Sequence, residues 1–165
     1  MDNVILVDER DVETGIMEKL EAHQRNMLHR AFSVFIFDNK GRMILQQRAL
    51  SKYHSPGLWT NACCSHPRPG ENTLRAAENR LQLEMGIDTE LYYKTSYLYK
   101  ADVGNGLFEH EFDHIFTGHY SHDPAPNPDE ACSFKWLETE SIKKLIEQEP
   151  QRFTVWFRLL MRDVF

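Results

Sequence analysis

The sequence predicts an α+β domain, and three observations predict it. Short runs rich in aromatic and β-branched residues recur along the chain, residues 31–38 being the clearest. Turn signals such as Asn39-Lys40-Gly41 and Gly104-Asn105-Gly106 separate such runs. Helical periodicity is confined to one central stretch and two C-terminal ones. That pattern suits two or three packed layers. A length of 165 residues suits one domain, residues 1–165, with a real core.

Taken in order, residues 3–7 (Asn-Val-Ile-Leu-Val) read as a short strand and residues 11–15 as a polar turn. Residues 16–23 read as a helical turn or two. His23 and His29 are six apart, so they share no helix face, and a common role requires a loop between them. Residues 31–38 form a strand, residues 39–41 a hairpin turn, and residues 42–48 the returning strand. Arg48, Lys52 and His54 then fall in a loop with Pro56-Gly57, which by itself reads as solvated and basic.

Trp59-Thr60-Asn61-Ala62-Cys63-Cys64-Ser65-His66-Pro67 holds two of the three cysteines. The stretch is too short and too poor in apolar residues for a helix, and Pro67 ends it. In extended chain, side chains alternate, so Cys64 and His66 share one face and Cys63 points to the other. A thiolate can serve as nucleophile, base or metal ligand, and adjacent cysteines can also be small buried hydrophobes.

Leu74, Ala77, Leu81 and Met85 recur at helical spacing, with Asn72 as N-cap and Gly86 as the stop. On this helix Arg80 and Glu84 are i and i+4, which alone reads as a surface ion pair. Residues 90–100 read as a strand. In residues 107–116, alternation puts Glu109, Glu111 and Asp113 on one face and Phe108, His110, Phe112, His114 and Phe116 on the other. Such a carboxylate face meets either a cation or water, the latter making this an edge strand facing solvent. Residues 124–128 are a loop, residues 132–137 a strand, and residues 138–148 and 153–162 helices, the last with a Val155, Trp156, Leu159, Leu160 stripe.

The formal net charge of -6 disfavours nucleic acid or an anionic membrane as the main partner and leaves room for a small anionic substrate. No apolar run approaches membrane-spanning length, and the first ten residues lack a basic-then-apolar leader pattern. An odd count of three cysteines argues for a reducing, cytoplasmic setting.

The stretch from Ser65 to Ile87 resembles a degenerate Nudix box. Glu71, Leu81, Glu84, Gly86 and Ile87 match, whereas Ser65, Asn79-Arg80 and Leu83 replace box residues, two of them carboxylates. Those departures resemble type 1 isopentenyl-diphosphate isomerases. The matching segments are His29-Arg30-Ala31-Phe32-Ser33, Gln47-Arg48-Ala49, Thr60 to Pro67 and Phe108-Glu109-His110-Glu111. The resemblance implies a Nudix-like mixed β-sheet flanked by helices, an α/β/α sandwich. It implies interconversion of isopentenyl and dimethylallyl diphosphate through a tertiary carbocation.

By the same resemblance, Cys64 and Glu111 match the family's acid–base pair, with Tyr99 hydrogen-bonded to Glu111 and Trp156 facing the cation. His23, His29, His66, Glu109 and Glu111 match a divalent metal site suited to Mn²⁺ or Mg²⁺, and Glu84 a second Mg²⁺ arriving with the diphosphate. Lys19, Arg48, Lys52 and Arg80 match phosphate-contacting positions. A Cys64 thiol beside metal and cations is expected to ionise more readily than Cys63. Two other classes compete: a Nudix hydrolase, against which the lost carboxylates count, and an inactive binding domain, against which the co-occurrence of all these groups counts. The reaction product separates the three.

Overall fold

The computed structural model describes residues 2–165. Strand β1 (Asn3–Val7) pairs antiparallel with β2 (Glu13–Glu18). Residues 11–15 are therefore only partly the expected turn. Asp8 Oδ1 accepts from the backbone of Arg10 and Val12 at 2.8 and 3.0 Å and closes the turn early. The polar residues after it still ladder onto β1, because main-chain pairing in an exposed ribbon needs no apolar side chains. The helix expected from residue 16 starts later, as α1 (Lys19–Gln24). Ile16, Met17 and Glu18 complete the β1 ladder, and the Glu18 carboxylate caps α1 by accepting from Glu21 N at 2.9 Å.

Strand β3 (His29–Phe37) is the hub of the sheet. It pairs antiparallel with β1, with β4 (Met43–Arg48) and with β6 (Cys63–Ser65), and parallel with β8 (Leu107–His119). Short β5 (Trp59–Thr60) and β9 (Ala131–Leu137) pair with β4, and β7 (Leu91–Gly104) pairs with β8. Alternation along β3 sorts the core into two layers. Phe32, Val34 and Ile36 pack with Ala77, Leu81 and Met85 of α2 (Thr73–Met85). Phe35 packs on the other side with Ile142 of α3 (Thr139–Gln148) and Trp156, Phe157 and Leu160 of α4 (Val155–Asp163). Helices thus cover both faces of a mixed sheet.

The parity expected for the cysteines holds. Cys63 is fully buried in the α2 layer, and Cys64 packs against the α4 layer. The open alternative for β8 resolves the other way from an exposed edge. β8 lies between β3 and β7, and Glu109, Glu111 and Asp113 are buried while Phe108, His110, Phe112 and His114 are half-buried.

Helix α2 has the ends its sequence predicts. Asn72 Oδ1 accepts from Arg75 N at 3.1 Å, and Gly86 closes the helix at φ 63° with its N–H on Gln82 O at 2.9 Å. A Cβ on Gly86 would fall 2.8 Å from Ala125 O. We therefore expect Gly86→Ala to cost about 1–3 kcal/mol in urea unfolding, through left-handed strain and the clash with Ala125. Unchanged stability would mean that the residue 124–128 loop moves aside freely.

Candidate active site

Strand register assembles the site. His29 of β3 stands opposite Glu111 of β8, Tyr99 of β7 stands opposite the same Glu111, and Ser33 of β3 stands opposite Cys64 of β6. Tyr99 donates its hydroxyl to Glu111 Oε2 at 2.7 Å. Glu111 Oε1 lies 2.9 Å from His66 Nε2 and 3.6 Å from His29 Nε2.

Three imidazoles converge here. His23 Nδ1 lies 2.8 Å from the Phe108 carbonyl and His29 Nδ1 lies 2.7 Å from the Met27 carbonyl. Carbonyls only accept, so both rings carry hydrogen on Nδ1 and, when neutral, present a lone pair at Nε2. His23 Nε2 is buried without a hydrogen-bond partner among the described residues, and His29 Nε2 faces His66 Nε2 at 3.2 Å. With Glu109, ligand atoms of these three histidines lie within 4.8 Å of one another. An orphaned, buried imidazole nitrogen turned toward other imidazole nitrogens, its ring set by a backbone carbonyl, is the arrangement of a metal ligand. The donor set fits a divalent ion, and this group can hold one.

The surroundings polarise the carboxyls in opposite directions. Burial and then the charge of Glu111 push Glu109 well above the usual carboxylate range. Burial acts the same way on Glu111, but the neighbouring His29 and His66 imidazoles outweigh it and hold Glu111 well below. Burial pushes His66 down to about 3. Burial raises both thiols, with the Asp113 carboxylate the next cause at Cys64 and Glu84 the next at Cys63. The Cys64 Sγ–H donates to the neutral Asn61 Oδ1 at 3.1 Å and Ser33 Oγ lies 3.4 Å from the sulfur, so neither neighbour is a cation.

One cleft is lined by Cys64, His66, Tyr99, Glu109, Glu111 and Trp156 together with Lys19, Arg48, Lys52, Arg80 and Glu84. His23 and His29 lie buried behind it. Arg80–Glu84 is no ordinary surface pair. Glu84 is buried, accepts from Arg80 Nε at 2.6 Å, and accepts from Gln46 Nε2 at 2.8 Å. Glu130 binds Lys52 and also Arg80, the latter at 3.0 Å. Arg48 donates to the carbonyls of His54 and Ser55 at 3.1 and 3.2 Å, and its guanidinium carbon sits 5.4 Å from the Trp156 ring. Lys19 lies 3.7 Å from Asp2.

Sequence reasoning missed several residues here. His54, read as part of a solvated loop, lines the cleft, stands edge-on to Trp156 at 5.8 Å and approaches Glu109 at 3.7 Å. Glu130 and Gln46 carried no local signal. Asp113 did, because its alternation with Glu109 and Glu111 puts it on the same buried face.

Comparison with known proteins gives the class first. Residues 27–157 match the NUDIX domain. Among solved structures, DR0079 from Deinococcus radiodurans superposes with TM-score 0.81 at 17% identity, covering 99% of both chains. A MutT NUDIX hydrolase from Burkholderia pseudomallei gives 0.60 at 19% identity over 84% of this chain and 98% of its own. These likenesses concern the fold. Two curated relatives narrow the class. The isopentenyl-diphosphate Delta-isomerase of Serratia proteamaculans is 51% identical over 161 residues, 98% of this chain and 90% of that protein. Isopentenyl-diphosphate Delta-isomerase 2 of Photorhabdus laumondii is 47% identical over 165 residues, 99% and 93% respectively. The chain belongs to the isopentenyl-diphosphate Delta-isomerase family of Nudix proteins.

Stripped of ions, the protein is expected to take up one divalent ion per chain, measured by elemental analysis after dialysis. His29→Ala and His66→Ala should each weaken that uptake by tenfold or more, about the effect of losing one metal contact or its support. Equal uptake by both variants would remove the imidazole cluster from consideration.

Proposed function

We infer that the protein is an enzyme, an isomerase that interconverts isopentenyl diphosphate and dimethylallyl diphosphate in isoprenoid biosynthesis. The observation that carries this reading is the single cleft in which a thiol and a carboxyl on separate strands meet one aromatic wall and a set of cations. A hydrolase of the same fold has no need of Cys64, and two box carboxylates are replaced by Arg80 and Leu83. The residues serve as one catalytic domain acting on a small diphosphate. Among the described residues no helix is long and apolar enough to cross a membrane. Three free cysteines suit a reducing cytoplasm.

The reaction adds a proton to the terminal alkene carbon and removes one from the carbon next to the oxygen-bearing carbon. Glu111 delivers the first proton, so it has to enter the step protonated, against the pull of His29 and His66 that otherwise keeps it ionised, and the Tyr99 hydroxyl on Oε2 holds that carboxyl in place. Cys64, entering the step as the thiolate, takes the second and becomes the thiol, and the two exchange roles in the reverse direction. Asn61 and Ser33 hold the sulfur. Trp156, buried with its ring on the cleft, supports the tertiary cation through its π-face and excludes water that would quench it.

Lys19, Arg48, Lys52 and Arg80 bind the diphosphate, Arg80 with its guanidinium already oriented by Glu84 and Glu130. His23, His29, His66, Glu109 and Glu111 hold an Mn²⁺ or Mg²⁺ ion, and Glu84 a Mg²⁺ accompanying the diphosphate. When bound, the ion at the imidazoles supplies positive charge that orients Glu111 and makes its proton easier to give.

Incubation with isopentenyl diphosphate in D₂O, followed by NMR, should show deuterium entering the product methyl group with the diphosphate intact. Inorganic phosphate as the main product would replace this reading by hydrolysis. Cys64→Ala should lower turnover by about two orders of magnitude or more with the fold retained, the contribution typical of a positioned acid–base group. Cys63→Ala, on the other face, should leave turnover near wild type and cost only packing. The reverse ranking, read by steady-state kinetics alongside circular dichroism, would exchange the two cysteines.

A further inference from the structure

Ser33 and Asp113 form a buried polar pair directly behind Cys64. Ser33, in the middle of β3, donates to Asp113 Oδ2 at 2.7 Å and lies 3.4 Å from the Cys64 sulfur. Asp113 is 0% exposed, and its Oδ1 has no hydrogen-bond partner among the described residues. A carboxyl in a core with one polar contact costs stability, and an apolar residue there would cost none. The next inward-facing residue on β8, Ile115, shows that the layer accepts hydrophobes.

The sulfur's other contact is equally constrained. Asn61 Nδ2 donates to the carbonyls of Val34 at 3.0 Å and Cys63 at 2.9 Å, which leaves its Oδ1 as the oxygen that meets the thiol. Thr60 donates to the same Oδ1 at 2.9 Å, and Thr154, at the start of α4, donates to Thr60 at 2.9 Å. The sulfur therefore gives its one hydrogen to Asn61 Oδ1 from its own loop and rests against Ser33 Oγ from the facing strand, both oxygens being fixed. Asn61 alone leaves the χ1 rotation of Cys64 bounded on one side. Ser33 supplies the second bound, and Asp113 keeps the Ser33 hydroxyl from turning elsewhere.

We propose that Ser33, anchored by Asp113, is a positioning residue for the Cys64 sulfur. It fixes the distance and angle at which the sulfur meets the substrate carbon, without touching substrate. The proposal rests on the reading of Cys64 as an acid–base group. A reacting atom displaced by about 1 Å can cost roughly a hundredfold in rate while ground-state binding is kept.

The test uses the full chain and compares kcat and KM for isopentenyl diphosphate in wild type, Ser33→Ala, Ser33→Thr, Cys64→Ala and the Ser33→Ala/Cys64→Ala double variant. Ser33→Ala should lower kcat by roughly tenfold to a hundredfold with KM little changed, and Ser33→Thr, which keeps the hydroxyl, should recover most of it. In the Cys64→Ala background the Ser33 change should have no further effect, because the atom it positions is gone. A kcat loss of the same size in both backgrounds, or a loss that Ser33→Thr does not recover, would reduce Ser33 to a packing role and overturn the proposal. Should Ser33→Ala fold poorly, Asp113→Leu must lower kcat in the same way, and Asp113→Asn, which keeps an oxygen for the hydroxyl, must not. Wild type that releases phosphate instead of isomerising would overturn the functional reading itself, a result distinct from an active wild type indifferent to Ser33.

Discussion

The parallel register of β3 against β8 is the constraint on which the site depends. It runs from His29 opposite Glu111 to Phe37 opposite His119. Because side chains alternate, a slip of one residue would turn Glu109, Glu111 and Asp113 out toward the open face and bring Phe112 and His114 inward. The register is over-determined by packing. Phe32, Val34 and Ile36 bind β3 to the α2 layer, and Phe35 and Ile115 bind the same strands to the α3/α4 layer. Chemistry-bearing residues occupy the end of these strands where packing yields to the cleft. Apolar residues occupy the remainder and hold that end in place.

Burying His23 of α1, His29 of β3 and three carboxylates of β8 is costly, and the fold meets the cost locally. Backbone carbonyls of Met27 and Phe108 orient two rings, Tyr99 and His66 satisfy Glu111, and Ser33 satisfies one oxygen of Asp113. What stays unsatisfied is informative. Among the described residues, His23 Nε2 and Asp113 Oδ1 are two of the orphaned atoms, one at the imidazole cluster and one near the Cys64 thiol. Neither is explained by stability alone.

Much of this was legible in the sequence wherever a local period governs the outcome. Strand parity separated Cys64 from Cys63 and grouped Glu109, Glu111 and Asp113, and capping chemistry set both ends of α2. Resemblance to a family supplied residues that no spacing rule joins, such as Lys19 with Trp156, which the chain brings to one cleft from α1 and α4. The misreadings have physical sources. β2 forms from polar residues because its partner strand, not its own hydrophobicity, recruits it. His54 and Glu130 act across long sequence separations on irregular segments, where no periodicity exists to announce them. The rise in proton affinity of both adjacent thiols follows from depth of burial, a tertiary fact that spacing does not carry.

On the proposed role of Lys52 and Arg80, Glu130 bears on selectivity. It bridges Lys52 from one loop and Arg80 from α2, and with Glu84 on Arg80 the two cations are already matched by carboxylates carried on the chain. Any anion reaching them competes with an internal rival whose effective concentration is high because it never diffuses away. A singly charged anion offers no more than the carboxylate it must displace. A diphosphate offers several oxygens and more charge, and gains where the smaller anion breaks even. The bridge is thus a threshold: it subtracts a constant from every anion's affinity, and only ligands of high charge density clear it.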